Sequence, residues 1–400
     1  MRILIVTPSI PYPPNWGFGI RVFQIVCELS RRHTVSVLCY SNAGEEAKVA
    51  ALAEVCHSVH TVPARLPTER AKRAAQALSM FRRRSFQTAG VRASEMQQLA
   101  TELLTAERFD IVQFESSQMS WLELPAGVVS IVDEHNIEYE LLQRMYQTET
   151  SRLRKLYNWS EFRKFRREER SSWRRADGCV VTSAREQLIL SETEPHKPVH
   201  VAPNGVDIDF FSASDVAVDP NSIVFTGLLH YRPNIDAVTF FTKQILPLIV
   251  QQRPDVIFSI VGLGAPNEVT RLAGPHVRFV GEVPDIRPYA LGAGALVVPL
   301  RMGSGTRLKV LDGLAMQKGL VSTELGCEGI SVVDGQHLLI ADGVEEFAQG
   351  VLRVLGDRAL AEELGRNGRA LVEANYSWVS IVEELEGFHQ QVIDRGSPNH

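Results

Sequence analysis

Residues 299–330, PLRMGSGTRLKVLDGLAMQKGLVSTELGCEGI, decide how the rest of the chain is read. They have the form of a strand end, a glycine-bearing loop, an amphipathic helix and a second strand, the repeating unit of a parallel α/β sheet. Gly303, Ser304, Gly305 and Thr306 make a loop that a ligand can approach closely, because glycine leaves the backbone uncovered. Leu308, Leu311 and Ala315 fall at i, i+3 and i+7 and give the following helix one apolar face, while Lys309, Asp312 and Met316 share another. Arg307 and Lys309 stand in its first turn, where the helix dipole is positive and each cation costs roughly 0.3–1 kcal/mol. A bound anion reverses that penalty, because exposed N–H groups, the dipole and both cations then converge on it. The plain alternative is that both side chains swing into solvent. Two cations behind a run of small residues favour an anion site, and a diphosphate is the natural candidate.

Four hundred residues exceed what one core usually serves, so two domains are expected. A chain 44% hydrophobic and 22% charged is ordinary for a globular protein, and a net charge of −5 argues against a general nucleic-acid binder. Five scattered cysteines without a CxxC pair argue against a zinc site or disulfide framework, and for a reducing compartment. The opening MRILIVT runs straight into prolines and is too short for a signal peptide's apolar region. No apolar run approaches the ~18–20 residues of a membrane span, so a cytoplasmic location is expected.

Residues 3–6 form a continuous apolar run of the kind buried on both faces of a sheet. A loop over 8–19 ends in PNWGFG, helical spacing follows over 20–32, and a buried-type strand over 34–39. Residues 111–114, 128–132, 179–182 and 199–202 continue a parallel series, and residues 43–109 are mostly helical in pattern. Val201-Ala-Pro-Asn-Gly-Val-Asp207 marks a boundary and residues 212–221 read as a polar linker. A second series then places strands at 223–226, 256–261, 277–280, 295–299, 320–323 and 337–340. Two successive parallel sheets leave a cleft, with ligands at the carboxyl ends of the strands.

Residues 151–176 set ten Lys and Arg side chains against Glu161, Glu168 and Glu169, with Leu153, Leu156, Tyr157, Phe162 and Phe165 as a rough apolar stripe. Two readings stay open: a helix lying on an anionic membrane surface, or a solvated helix whose stripe packs on the sheet. Arg82, Arg83 and Arg84 form a smaller basic run on or beside a helix.

Polar residues just past predicted strand ends are the candidates for chemistry. In the first half these are Glu115 and the run Asp133-Glu-His-Asn136, where His135 is placed either to orient a sugar hydroxyl or to serve the structure. In the second half, Arg232 in the Gly227–Asn234 loop is a candidate phosphate ligand, and the backbone of Gly281-Glu-Val283 suits the edge of a nucleobase. A dinucleotide fingerprint is absent: Gly17-Phe-Gly19-Ile-Arg-Val22 comes late and lacks its third glycine, and no acid closes the second strand. No GxxxxGK[ST] or GxSxG occurs either.

Taken in order, these motifs resemble the glycosyltransferase family 4 branch of the GT-B glycosyltransferases. The similar pieces are the PNWGFG loop, Asp133-Glu-His-Asn136, Ala176-Asp-Gly-Cys-Val-Val-Thr-Ser183, Val201-Ala-Pro-Asn-Gly-Val-Asp207, Phe279-Val-Gly-Glu-Val283, the opening stretch and Tyr376-Ser-Trp378. They span nearly the whole chain, most densely over 200–380. The resemblance implies two Rossmann-like parallel-sheet domains facing a cleft: an acceptor-side domain over 1–200, a donor-binding domain over 201–378, and a C-terminal helix over 379–400 that crosses back.

It also implies a retaining, metal-independent transfer of a hexose-type sugar from a nucleoside-diphosphate sugar to a hydroxyl of a polysaccharide, glycolipid or small molecule. The donor is a co-substrate, and no cofactor or metal is expected. Lys309 and Arg307 would neutralise the diphosphate, the amides of Ser304, Gly305 and Thr306 would add hydrogen bonds, Gly19 would line the cleft, and His135 would touch the sugar. The family commonly carries two glutamates eight residues apart; this chain has Ser304 and Asp312 there, so Asp312 inherits the ribose contact and the first glutamate's sugar contact is missing. That departure motivates two rivals: a scaffold that binds a nucleotide sugar without transferring it, and a sugar-nucleotide epimerase. The basic runs add an expectation of peripheral contact at the inner face of a membrane and of a lipid-linked or glycan acceptor.

Overall fold

The computed structural model describes residues 1–64, 75–76, 78–80, 82–214, 216–303 and 307–396. The chain divides into two units, one of Met1–Pro203 with the residues from Ile381 on, the other Asn204–Ser380. Each is a parallel sheet clothed in helices, the α/β architecture expected from the strand–helix alternation.

The first unit holds β1 (Arg2–Thr7), β2 (Thr34–Ser41), β3 (Ser58–Pro63), β4 (Ile111–Glu115), β5 (Val129–Glu134), β6 (Gly178–Val181) and β7 (Val199–Val201), in the order β3-β2-β1-β4-β5-β6-β7. Ile3, Leu4, Ile5 and Val6 are fully buried, because β1 lies inside the sheet with helices on both faces. Two expectations need correction. The described part of residues 43–109 is mostly helical, but it also holds SVHTVP, the edge strand β3, whose half-exposed, polar-rich pattern hides it from a search for apolar runs. The PNWGFG loop is shorter than expected, since a helix begins at Gly17 and runs to Ser30. Gly19 lies under the Trp16 indole, where a Cβ would come within 2.8 Å of the ring.

The basic run is a single helix, Arg152–Arg175. Its apolar stripe does not extend as expected: Phe165 and Trp173 are buried, but Leu153 and Leu156 are 82% and 51% exposed. From Ile381 on, the helix Trp378–Gly396 belongs to the first unit, where His389 meets Gln113 of β4 through Nε2 and Oε1 at 2.9 Å. Among the described residues no helix is long and apolar enough to cross a membrane.

The second unit orders its strands β10-β9-β8-β11-β12-β13. These are β8 (Asp219–Thr226), β9 (Ile257–Val261), β10 (Val277–Gly281), β11 (Ala293–Val298), β12 (Leu320–Ser322) and β13 (Leu339–Ile340). The supposed linker therefore ends inside β8, whose polar first turn, Asp219-Pro-Asn-Ser, masks the strand start.

Candidate active site

In the second unit glycines stand at the carboxyl ends of neighbouring strands. Gly227 follows β8, Gly262 follows β9 and Gly281 closes β10, three adjacent strands, while Gly303 lies in the loop beyond β11. The Gly227 amide donates to Val261 O at 3.1 Å and the Gly262 amide to Gly281 O at 2.8 Å. Gly227 and Gly262 hold φ of +156° and +154°, which L side chains rarely adopt. A Cβ on Gly262 would lie 1.7 Å from the Gly227 carbonyl oxygen, and one on Gly227 would lie 2.8 Å from Lys309 Nζ. Only glycine fits here, because the Gly227 carbonyl and the Lys309 ammonium already occupy the space that a Cβ would take.

The helix Leu308–Ala315 packs Leu311, Leu314 and Ala315 inward and turns Lys309 toward Gly227. Lys309 Nζ donates to Asn234 Oδ1 at 2.9 Å and sits 3.8 Å from the centre of the Phe225 ring on β8. Asn234 is itself held, since its Nδ2 donates to Leu228 O at 2.8 Å, which points its oxygen at the lysine. Burial pushes Lys309 down to about 7, the Arg307 charge adds to the effect, and Asp312 opposes it. Asp312, one turn along, is pushed up to about 7 by burial, with Lys309 pulling the other way. Arg307 is buried at the helix start, its guanidinium folded over Gly303 so that a Cβ there would lie 3.1 Å from Nη2.

Other expected residues sit at the rim. Arg232 is exposed in the first turn of the helix Arg232–Phe240; it is Asn234, two residues on, that reaches Lys309. Val283 lies two residues past the end of β10, partly buried against the core. Ser304, Gly305 and Thr306 lie outside the described residues.

The first unit gathers its own polar cluster at the ends of β4 and β5. His135 Nε2 meets Glu115 Oε2 at 2.7 Å, and its ring stacks on Phe18 with centroids 4.6 Å apart. Glu115 is fully buried and also accepts from Gln113 Nε2 at 2.8 Å; burial pushes its carboxyl up, and the hydrogen bond from His135 works against that. Asp133 accepts a two-toothed contact from Arg21, Nη2 to Oδ1 at 3.0 Å and Nε to Oδ2 at 3.1 Å. Arg21 Nη1 donates also to Ala202 O at 2.8 Å and Pro203 O at 3.1 Å, tying the first helix to the segment after β7. Glu115, Asp133 and His135 bring ligand-type atoms within 4.8 Å of one another, but Arg21 already compensates the aspartate from within the protein.

Asn234, Arg21 and Gln113 were not singled out by sequence reasoning. Arg21 leaves one trace: it is a lone cation in the apolar run Ile20–Val26 of a helix, and such a residue is 1% exposed only when paired.

Residues 17–210 match the family model described as Glycosyltransferase Family 4, and residues 220–357 match that of Glycosyl transferases group 1. An uncharacterized 44.6 kDa protein in the cps region of Klebsiella pneumoniae is 21% identical over 96% of this chain and 98% of its own. The phosphatidyl-myo-inositol mannosyltransferase of Mycobacterium tuberculosis is 27% identical over 211 residues, 49% of this chain and 54% of that protein. Among solved structures, sucrose-phosphate synthase from Thermosynechococcus elongatus matches with a TM-score of 0.70 at 16% identity, covering 99% of this chain and 100% of that one. Anabaena HepE in complex with UDP matches at 0.69 and 14% identity, covering 98% and 100%.

Proposed function

We propose the following reaction because the chain belongs to glycosyltransferase family 4 and is a glycosyltransferase of the GT-B fold. It moves a hexose-type sugar from a nucleoside-diphosphate donor to an acceptor hydroxyl, with retention at the anomeric carbon. Arg307 and Lys309 take the part that a metal ion plays in other transferases.

The seating of Lys309 carries this reading. Its ammonium is held by Asn234 over the Phe225 ring, beside Arg307 and against Gly227. A desolvated cation gains more from an arriving anion than a solvated one does. As the bond from C1 to the diphosphate oxygen breaks, negative charge grows on the leaving group, and both cations attract it more strongly than in the ground state. The acceptor oxygen bonds to C1 on the face the diphosphate leaves, and its proton passes to a phosphate oxygen. Asp312 accepts from the ribose hydroxyls, the backbone of Gly281 and Val283 meets the base, Gly227 and Gly262 leave room for the phosphates, and Arg232 supplies an outer cation. In the first unit Gly19 is buried under Trp16 and does not face the sugar, while His135, steadied by Glu115, contacts it. HepE's complex with UDP supports a nucleotide donor, and the mannosyltransferase's name supports a hexose and a lipid-linked acceptor.

The test is an assay against UDP-, GDP- and ADP-sugars with glycan and lipid acceptors, product configuration being read by NMR. Transfer from one donor class, with retention and at an unchanged rate in EDTA, is the expected result. Saturable donor binding without product would replace transfer by a binding scaffold. Donor conversion without acceptor would identify an epimerase, and loss of activity in EDTA would remove the two-cation mechanism.

A pH dependence follows from Lys309. In the free protein its proton is lost around pH 7, and a bound diphosphate favours the charged form. The complex therefore holds more protons than the free protein above that pH, and affinity falls as pH rises. Between about pH 7.5 and 9 the Kd for the nucleoside diphosphate should rise by up to about tenfold per unit. A flat Kd over that window, measured by calorimetry, would show that Lys309 does not change charge on binding.

A further inference from the structure

All three acids of the basic helix Arg152–Arg175 turn inward. Glu161 accepts from the Phe86 N–H at 2.6 Å and from Ser79 Oγ at 3.1 Å. Glu168 accepts from the Ser85 N–H at 2.9 Å and Thr88 Oγ1 at 2.8 Å. Glu169 accepts from the N–H groups of Glu138 and Tyr139 at 2.9 and 3.0 Å, closing the start of the neighbouring helix Glu138–Thr148. Among the described residues the helix's ion pairs are Lys164–Glu161 and Arg174–Glu194. The outward side is therefore purely cationic. The glutamate contacts also fasten the segment bearing Arg82, Arg83 and Arg84, all exposed, against this helix, a juxtaposition with no trace in the sequence.

At 3.6 residues per turn, Arg152, Leu153, Leu156, Trp159, Arg163, Arg166 and Arg167 fall within one arc of about 140°. Leu153, Leu156 and Trp159 are exposed within it, and Leu141 and Met145 are exposed on the neighbouring helix. Arg163 lies over the Trp159 ring at 5.1 Å and Arg166 over the Tyr139 ring at 5.7 Å, and among the described residues none of these arginines forms an ion pair. Large apolar side chains held in water among such arginines match a partner that is anionic at its surface and apolar just beneath. A nucleic acid would satisfy the arginines and leave the leucines wet. A second copy meeting this face by a two-fold axis would set arginine against arginine.

We propose that this face docks on an anionic lipid bilayer. Leu153, Leu156 and Trp159 enter the headgroup layer while Arg152, Arg163, Arg166 and Arg167 engage lipid phosphates. The proposal does not depend on the reading of the second unit's site, so the two can fail separately.

The test is sedimentation of the full chain with phosphatidylcholine vesicles containing about one-third phosphatidylglycerol, at roughly 0.1 M salt. Binding to these vesicles and not to pure phosphatidylcholine is expected, together with a blue shift of tryptophan emission that the Trp159→Phe variant lacks. The triple variant Arg152→Glu/Arg163→Glu/Arg167→Glu should bind at least about tenfold more weakly, as should Leu153→Ser/Leu156→Ser. Both should keep the wild-type thermal midpoint and nucleoside-diphosphate binding, because the altered side chains are exposed. Absence of binding to anionic vesicles, or equal binding by wild type and variants, would overturn the proposal. So would a dimer by light scattering that Leu153→Ser/Leu156→Ser dissolves, which would make a second copy the occupant.

Discussion

Lys309→Ala should lower glycosyl transfer by about a thousandfold while the protein stays folded, because one preorganised charge aimed at the leaving group is worth that much in a desolvated site. The fold should tolerate the change. Lys309 is held down to about 7, so its burial opposes the charged form, and removing a desolvated cation relieves that cost. What is lost is one hydrogen bond to Asn234 Oδ1 and the contact with the Phe225 ring. The net change in stability should stay within about 1 kcal/mol. Steady-state rates and urea unfolding on the same preparation separate the two effects. A variant that transfers sugar at the wild-type rate would mean that Lys309 does not face the leaving group.

Gly262→Ala should be the most damaging small substitution in the second unit. Its Cβ would overlap the Gly227 carbonyl oxygen at 1.7 Å, and its φ of +154° is strained for alanine whatever space is made. The strand ends of β8 and β9 would have to part, and Gly227 is the residue on which Lys309 rests. A loss of about 4 kcal/mol is expected in urea unfolding, with weakened nucleotide binding even where the chain remains folded. Gly281→Ala is the control: its φ of +80° is also unfavourable, but its nearest contact is the Phe279 ring at 3.4 Å, so about 1 kcal/mol is expected. Equal costs at the two positions would show that the close approach of Gly262 to the Gly227 carbonyl is not what the glycine provides.

Much of this was legible before any coordinates. Residues 3–6 and 223–226 announce central strands because a buried parallel strand needs apolar side chains on both faces. The glycines and cations of 303–309 suggest an anion site from the sequence, a reading that the proposed reaction adopts and the titration below tests. What stayed hidden depends on contacts between distant residues. Asn234 looks like any turn asparagine until β8 and β11 pair and bring residue 309 beside it. Arg21 and Asp133 lie 112 positions apart, and nothing local marks either as the other's partner. β3 escaped because an edge strand is half wet and its sequence alternates with polar residues. Spacing places Leu153 and Leu156 on an apolar stripe and leaves open whether sheet or membrane covers it; in the structure the inward side holds Phe165, Trp173 and the glutamates that cap other segments.

The account rests on a diphosphate binding against Arg307 and Lys309, and calorimetric titration tests that most directly. UDP, GDP and ADP, with the corresponding nucleosides, are titrated into the wild-type protein and into Lys309→Ala. One diphosphate should bind the wild type and lose at least about tenfold in affinity in the variant, while its nucleoside binds both alike. Equal diphosphate affinity in the two proteins, or no diphosphate binding to either, would contradict it.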